Sequence, residues 1–327
     1  NRGLLKYKLG NNQAAIDDYD LAIKTNPNYA EAYLNRGVAK SKLGNNQGEI
    51  ADYNTAIKID PFHAPAYYNC RLLKYRAGNR RAAIDDYDLA INIDPNYSEA
   101  YINRGLAKSD LGNQQAAIKD FDIGIKLNPN QLKAYNNRGR AKYSLGNKQA
   151  AIEDYNIAIR IDPKYAEAYY NRGIDRSDLG NKQAAIDDYN MAIKINPNYA
   201  DAYTNRGLAK SNLGNQQAAI DDFDIAIKFK PNNLQAYINR GWSNFLSNHN
   251  QGAIADWEKS ISLEPTAGAY CNLGLYKVIL GNNAEGLVDL EQAIKLDPKL
   301  ADNFVVRGFI RGAAGDKEGM LSDRSVE

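Results

Sequence analysis

Catalysis needs a nucleophile, a base or a metal ligand held beside a partner, and such residues are scarce in this chain. Its two histidines, His63 and His249, lie in different segments near loops, and neither is paired in sequence with a nucleophile. They read as solvated loop residues. Its two cysteines, Cys70 and Cys271, form neither a disulfide framework nor a metal-ligand spacing. They read as single packed thiols in a reducing, cytoplasmic compartment. The acid pairs Asp17-Asp18, Asp85-Asp86, Asp187-Asp188 and Asp221-Asp222 are adjacent residues. On a helix their carboxylates point in different directions, so they do not make an acid/base couple. No phosphate-cradling glycine loop occurs, and no His/Cys metal spacing. The expectation is a chain that is no enzyme and takes no metal or cofactor.

The chemistry that does recur is that of the primary amide. Asn1, Asn35, Asn69, Asn103, Asn137, Asn171, Asn205 and Asn239 stand 34 residues apart, and Asn272 follows after 33. An amide offers two donors and an acceptor, which suits the alternating N–H and C=O groups of an extended polypeptide. Inside a helix Asn costs about 0.7 kcal/mol relative to Ala, so a row of them favours a contact outside the fold. Copying by tandem duplication is the alternative. Against it, two diverged units keep the amide: Asn69 precedes Cys70-Arg71 where others have Arg-Gly, and Asn272 precedes Leu273 where others have Arg.

Three residues beyond each Asn runs an apolar row: Leu4, Val38, Leu72, Leu106, Ile174, Leu208, Trp242, Leu275 and Phe309, interrupted by Arg140. An interaction surface explains it; so does packing between neighbouring helices. The candidate peptide-binding residues are therefore Asn35 to Asn272 of the amide row with Leu72, Leu106, Ile174, Leu208 and Trp242.

The elements that must hold these rows share their period. Gly10, Gly44, Gly78, Gly112, Gly146, Gly180 and Gly214 recur every 34 residues, as do Pro27, Pro61, Pro95 and their successors to Pro265. One unit reads AEAYLNRGVAKSKLGNNQGEIADYNTAIKIDP, residues 30–61. Glycine ends a first helix in the left-handed conformation, and proline ends a second, because it disfavours helical geometry in the residue before it. Asn28 to Glu31 has the spacing of a capping box. With Ala30 as position 1, full repeats span 30–63, 64–97, 98–131, 132–165, 166–199, 200–233, 234–266 and 267–300. Partial repeats cover 1–29 and 301–327, and a single continuous solenoid is expected over 1–327. The chain opens in mid-helix and its pattern fades after Gly315, so flanking sequence is expected at both ends. Gly at position 8 and Ala at position 20 let two helices approach closely, while aromatics at positions 4 and 24 fill the space between hairpins.

This pattern resembles the tetratricopeptide-repeat family over nearly the whole chain. The resemblance implies an all-α, right-handed superhelix whose first helices line a concave surface with positions 2, 5, 6, 9, 12 and 13. It further implies a non-catalytic scaffold that binds an extended protein segment. The Asn row is similar to the ladder of the O-linked N-acetylglucosamine transferase repeats, which grips peptide backbone, and to that of armadillo import receptors. The carboxylate clamp of heat-shock co-chaperones fits poorly: position 5 is never Lys and position 9 is never Asn. The NRG-x-AK-x-x-LGN style is similar to bacterial, often cyanobacterial, repeat proteins. Two other functions stay open, a regulatory or sensor part of a larger enzyme and a structural solenoid that self-associates through uncapped ends.

The charges look structural. Arg recurs at position 7 (Arg36, Arg104, Arg138, Arg172, Arg206, Arg240) and Asp at position 23, which predicts a ladder of ion pairs. Lys at position 11 is expected at a partly exposed edge. The acids at position 2, Glu31, Glu99, Glu167 and Asp201, suit helix capping, or else a groove for basic peptides. A formal charge of +2 leaves no basic excess for nucleic acid. No apolar run reaches the length of a membrane span. Trp242 to Gly281 departs most from the pattern, with Asn248 in place of Gly, and is expected to bend the stack or carry a special contact.

Overall fold

The computed structural model describes residues 1–76, 80–298, 308 and 312, the side chains of 71–76 excepted. Leu72, Lys74, Gly78, Phe304 and Phe309, and all of repeat 301–327 but Gly308 and Gly312, lie outside this description. The described residues form eighteen α-helices and no strand. Two compact units divide them, Asn1–Pro163 and Lys164–Glu327. The first holds α1 (Arg2–Lys8), α2 (Asn12–Thr25), α3 (Ala30–Lys42), α4 (Asn46–Ile59), α5 (Ala64–Arg76), α6 (Arg80–Ile93), α7 (Ser98–Asp110), α8 (Gln114–Leu127), α9 (Leu132–Ser144) and α10 (Lys148–Ile161). The second holds α11 (Ala166–Asp178), α12 (Lys182–Ile195), α13 (Ala200–Asn212), α14 (Gln216–Phe229), α15 (Leu234–Leu246), α16 (Asn250–Leu263), α17 (Ala267–Ile279) and α18 (Asn283–Leu296). Odd and even helices pair as hairpins, and within each unit successive hairpins stack, so that α3 also meets α5, α7 meets α9, and α13 meets both α11 and α15.

The turns explain the 34-residue period. The turn glycines from Gly10 to Gly281 take φ between 76° and 89°, and Asn248 takes 59° in the same place. Asn is one of the few residues that tolerate this conformation, so the substitution keeps the turn. Around the prolines the expected capping box does not form: Tyr29, not Asn28, caps α3, and no side chain closes it. Instead Asn26, Asp60, Asp94, Asn128 and Asn196 accept a hydrogen bond from the backbone N–H two residues on. This local turn uses the short acid or amide before proline and leaves the position 2 acids for other partners.

Small residues set the helix spacing. Ala32, Ala39, Ala83, Ala117, Ala151 and Ala185 are almost wholly buried. A Cβ on Gly139 would stand 2.6 Å from the ring of Tyr155, and one on Gly173 at the same distance from Tyr189. The aromatic at position 24 thus fills the inside of its own hairpin. It also reaches the next: Tyr53 clusters with Ala66 and Cys70 of α5, and Phe223 with Ala236 of α15. Position 5 departs from the expected exposed face. Leu34, Ile102, Asn136 and Thr204 are buried. Ile102 packs over Gly124 of its own second helix, where a Cβ would stand 2.6 Å from it. Position 5 therefore belongs largely to the core, though Tyr68, Tyr170 and Ile238 are half-buried, and the open face narrows to positions 2, 6, 9, 12 and 13.

Candidate functional site

Two adjacent residues on each first helix do opposite things. The arginine at position 7 turns inward and builds the stack. Arg138 donates to both carboxylate oxygens of Asp154 at 2.9 and 2.6 Å, and its remaining terminal nitrogen donates to Asp122 at 2.6 Å. Lys142 lies 2.8 Å from Asp154, whose side chain is 2% exposed. The guanidinium also lies over the Tyr135 ring, 5.4 Å from its centroid. Burial opposes the charge on Arg138, yet the bonds to Asp154 and then Asp122 outweigh it and raise the pKa further. The same set recurs as Arg36 with Asp52, Asp20 and Lys40, and as Arg104 with Asp120, Asp88 and Lys108. In the second unit Arg206 holds Asp222 and reaches Asn190, and Arg240 holds Asp256 and reaches Asp224.

The ladder expected from positions 7 and 23 is present, with two additions. Position 11 is partly exposed as expected, and its cation is in addition a second clamp on the buried aspartate. Position 25 of the preceding hairpin supplies the link between repeats. Its signal was available, because an acid or amide stands 16 residues before each of these arginines.

At the first hairpin the clamp is more open: Arg2, with Lys6, holds Asp18 far below the ordinary carboxylate range, at about 2. Because the folded-state value is depressed, this contribution to stability is complete above the unfolded value of about 3.9 and is lost as pH falls through about 2. NMR titration of the Asp18 carboxyl is expected to give a midpoint near 2; a midpoint near 4 contradicts the clamp.

The asparagine at position 6 turns the other way. Asn35, Asn69, Asn103, Asn137, Asn171, Asn205, Asn239 and Asn272 are all half-buried. Where the fold engages them, it uses the amide nitrogen. Asn35, Asn69 and Asn103 donate to the backbone carbonyl one turn back at 2.8–3.0 Å. Asn103 also donates to the Tyr68 hydroxyl at 2.7 Å, and Asn205 to that of Tyr170 at 3.1 Å. Burial first, then the nearby Asp201 charge, pushes Tyr170 up to about 12, against the pull of Asn205, so it stays a neutral hydroxyl. Asn137 and Asn239 make no side-chain hydrogen bond. Apart from Asn171, which has a partner, no ladder amide oxygen accepts a bond from the fold. The tyrosine links escaped sequence reading because they join position 5 of one repeat to position 6 of the next and occur only where position 5 is Tyr.

The position 9 row borders the amides. Val38, Leu106, Ile174 and Leu275 are half-buried, and Leu208 and Trp242 are each 39% exposed. Each side chain of the row therefore packs on its neighbours and keeps one side open. The position 2 acids have structural partners, Glu31 with Asn35 and His63, Glu99 with Gln131, and Asp201 with Lys230. His63 is consequently no solvated residue; its side chain is 11% exposed and lies 3.1 Å from Glu31. His249 is exposed at the start of α16. Among the described residues no group of His, Cys, Asp and Glu could hold a metal ion. Among them, too, no helix is long and apolar enough to cross a membrane.

Comparison with known proteins agrees with this architecture. Family models described as TPR repeat match residues 3–44 and 139–174. Models described as tetratricopeptide repeat match 30–63, 98–131, 166–199, 189–221 and 267–300. A tetratricopeptide repeat protein from Parabacteroides merdae is 22% identical, with a TM-score of 0.58 over 72% of this chain and 93% of that one. The APC/C hetero-tetramer Cut9-Hcn1 gives 16% identity and a TM-score of 0.64 over 81% of this chain and 52% of that one. MamA is 30% identical, with a TM-score of 0.45 over 48% of this chain and 92% of that one. No curated protein sequence matches significantly. Helix pairing, left-handed turn residues and family-model matches over more than half of the chain coincide, and the chain belongs to the tetratricopeptide-repeat family.

Proposed function

We propose that the chain is a non-catalytic scaffold that holds an extended segment of a partner protein along its first helices, at positions 6 and 9. The observation that carries this reading is the direction of the amides. The fold takes up the nitrogen of several ladder asparagines and leaves the oxygen of seven, Asn35, Asn69, Asn103, Asn137, Asn205, Asn239 and Asn272, without an intramolecular donor. A row of acceptors matches the N–H groups of an extended backbone. The half-open apolar residues Leu106, Ile174, Leu208 and Trp242 add side-chain contacts, and Leu72 shares their position in the sequence.

Recognition of this kind depends on the ligand's backbone. Once an array of extended peptides yields a binder, N-methylation of alternate residues on the N–H face towards the ladder is expected to lower its affinity at least tenfold. Methylation of the opposite register is expected to have little effect. Equal tolerance of both registers contradicts backbone recognition by the amides.

A further inference from the structure

The second unit contains an apolar pocket whose counterpart in the first unit, lined at the same repeat positions by Val38, Ser41, Tyr53 and Asn69, is mainly polar. Trp242 and Phe245 of α15, Trp257 of α16, and Leu275, Tyr276 and Ile279 of α17 line a cavity of about 150 Å³ whose wall is almost wholly carbon. Ladder residue Asn272 stands in the same lining. The aromatic walls brace one another: Trp242 meets Trp257 at 5.5 Å and Phe245 at 5.7 Å, both edge to face. Such pairs hold rings in place beyond the effect of burial alone. A space of about 150 Å³ accommodates a group the size of a phenyl ring.

The neighbouring charges restrict what enters. On α11, α13, α15 and α17, positions 2, 6, 9 and 13 carry Glu167, Asp178 and Asp201 and no Lys or Arg. Lys230 reaches Asp201, at 3.2 Å, from the loop that follows α14. The acids sit on α11 and α13; the same face of α15 and α17 is amide and apolar. Stacked helices lie about 10 Å apart and an extended chain advances about 3.3 Å per residue, so one first helix corresponds to roughly three ligand residues.

We infer that this pocket is the anchor site for one phenyl-sized apolar side chain of an extended basic peptide, with a Lys or Arg about three to six residues away over α11 and α13. The inference rests on the proposed groove and adds the partner's chemistry to it. Burying one such side chain contributes several-fold to tens-fold in affinity, because the carbon wall offers nothing to a polar one.

The chain's two tryptophans, Trp242 and Trp257, both line the pocket and report its occupancy. The probe is a ten-residue Ser/Gly peptide carrying one Lys and, four residues on, one Phe; the control has Ser in place of Phe. Intrinsic fluorescence and labelled-peptide anisotropy are read together. The Phe peptide is expected to bind at least tenfold more tightly than the control and to shift the tryptophan emission. Ile279→Glu, at a side chain 64% exposed and so tolerated by the fold, is expected to abolish both effects. Equal affinity of the two peptides, absence of an emission shift, or persistence of the Phe advantage in I279E overturns the pocket assignment. Failure of the groove itself is seen separately, when replacing Asn205 and Asn239, the ladder amides of α13 and α15 beside the pocket, by Ala leaves the binding of both peptides unaltered.

Discussion

Asp154→Ala is expected to destabilise the first unit by about 3–5 kcal/mol, the range for removing one partner of a buried ion pair. The side chain is 2% exposed and accepts from Arg138 twice while Lys142 lies alongside. Its loss leaves Lys142 without the carboxylate it clamps and Arg138 held by the exposed Asp122 alone. Arg138→Ala is expected to cost less, because Lys142 still compensates the carboxylate. Asp122→Ala is expected to cost under about 1 kcal/mol, as exposed pairs do, since that carboxylate is 52% exposed. Chemical denaturation of the three variants gives the order directly. A cost for D154A equal to that for D122A contradicts the view that position 23 is the hub of each repeat. In a stacked array such losses act on a hairpin and its neighbours, so the transition is also expected to broaden.

Much of this hub was legible in the sequence. A 34-residue interval marked the hairpins, and Arg36 with Asp52 marked the pair at its centre. The reach of Arg36 back to Asp20 was not evident, because position 25 varies between Asp and Asn and so carries a weaker repeat signal. Burial was harder to read than period. Leu34 and Val38 look alike in the sequence, yet Leu34 is buried and Val38 half-buried. The distinction depends on what each second helix presents, such as Gly124 beneath Ile102. The Trp242 pocket combines residues from three helices whose side chains are unremarkable singly. The edge-to-face contact of Trp242 with Trp257 exists only once Asn248 has completed the turn that brings α16 back along α15.

The second large effect concerns the amides. Asn is retained at position 6 although Ala would favour the helix by roughly 0.7 kcal/mol at each site. Asn35 and Asn69 bond only within their own first turns, and Asn137 makes no side-chain hydrogen bond, so the fold loses little when they go. If they serve a ligand, the loss appears in binding. Three peptide hydrogen bonds at about 1 kcal/mol each amount to about 3 kcal/mol, or roughly a hundredfold in affinity. Stability and binding therefore move in opposite directions, which distinguishes a retained contact from a copied residue.

The most direct measurement combines both quantities on one protein. Asn35→Ala, Asn69→Ala and Asn137→Ala, all in the first unit, are introduced together, the melting temperature is recorded, and affinity is measured for an extended peptide selected on the wild-type chain. The account predicts a melting temperature equal to or above wild type and a roughly hundredfold loss of affinity, from three bonds of about 1 kcal/mol each. Unchanged affinity in a fully folded variant contradicts it, and leaves the Asn row as an inheritance of repeat duplication.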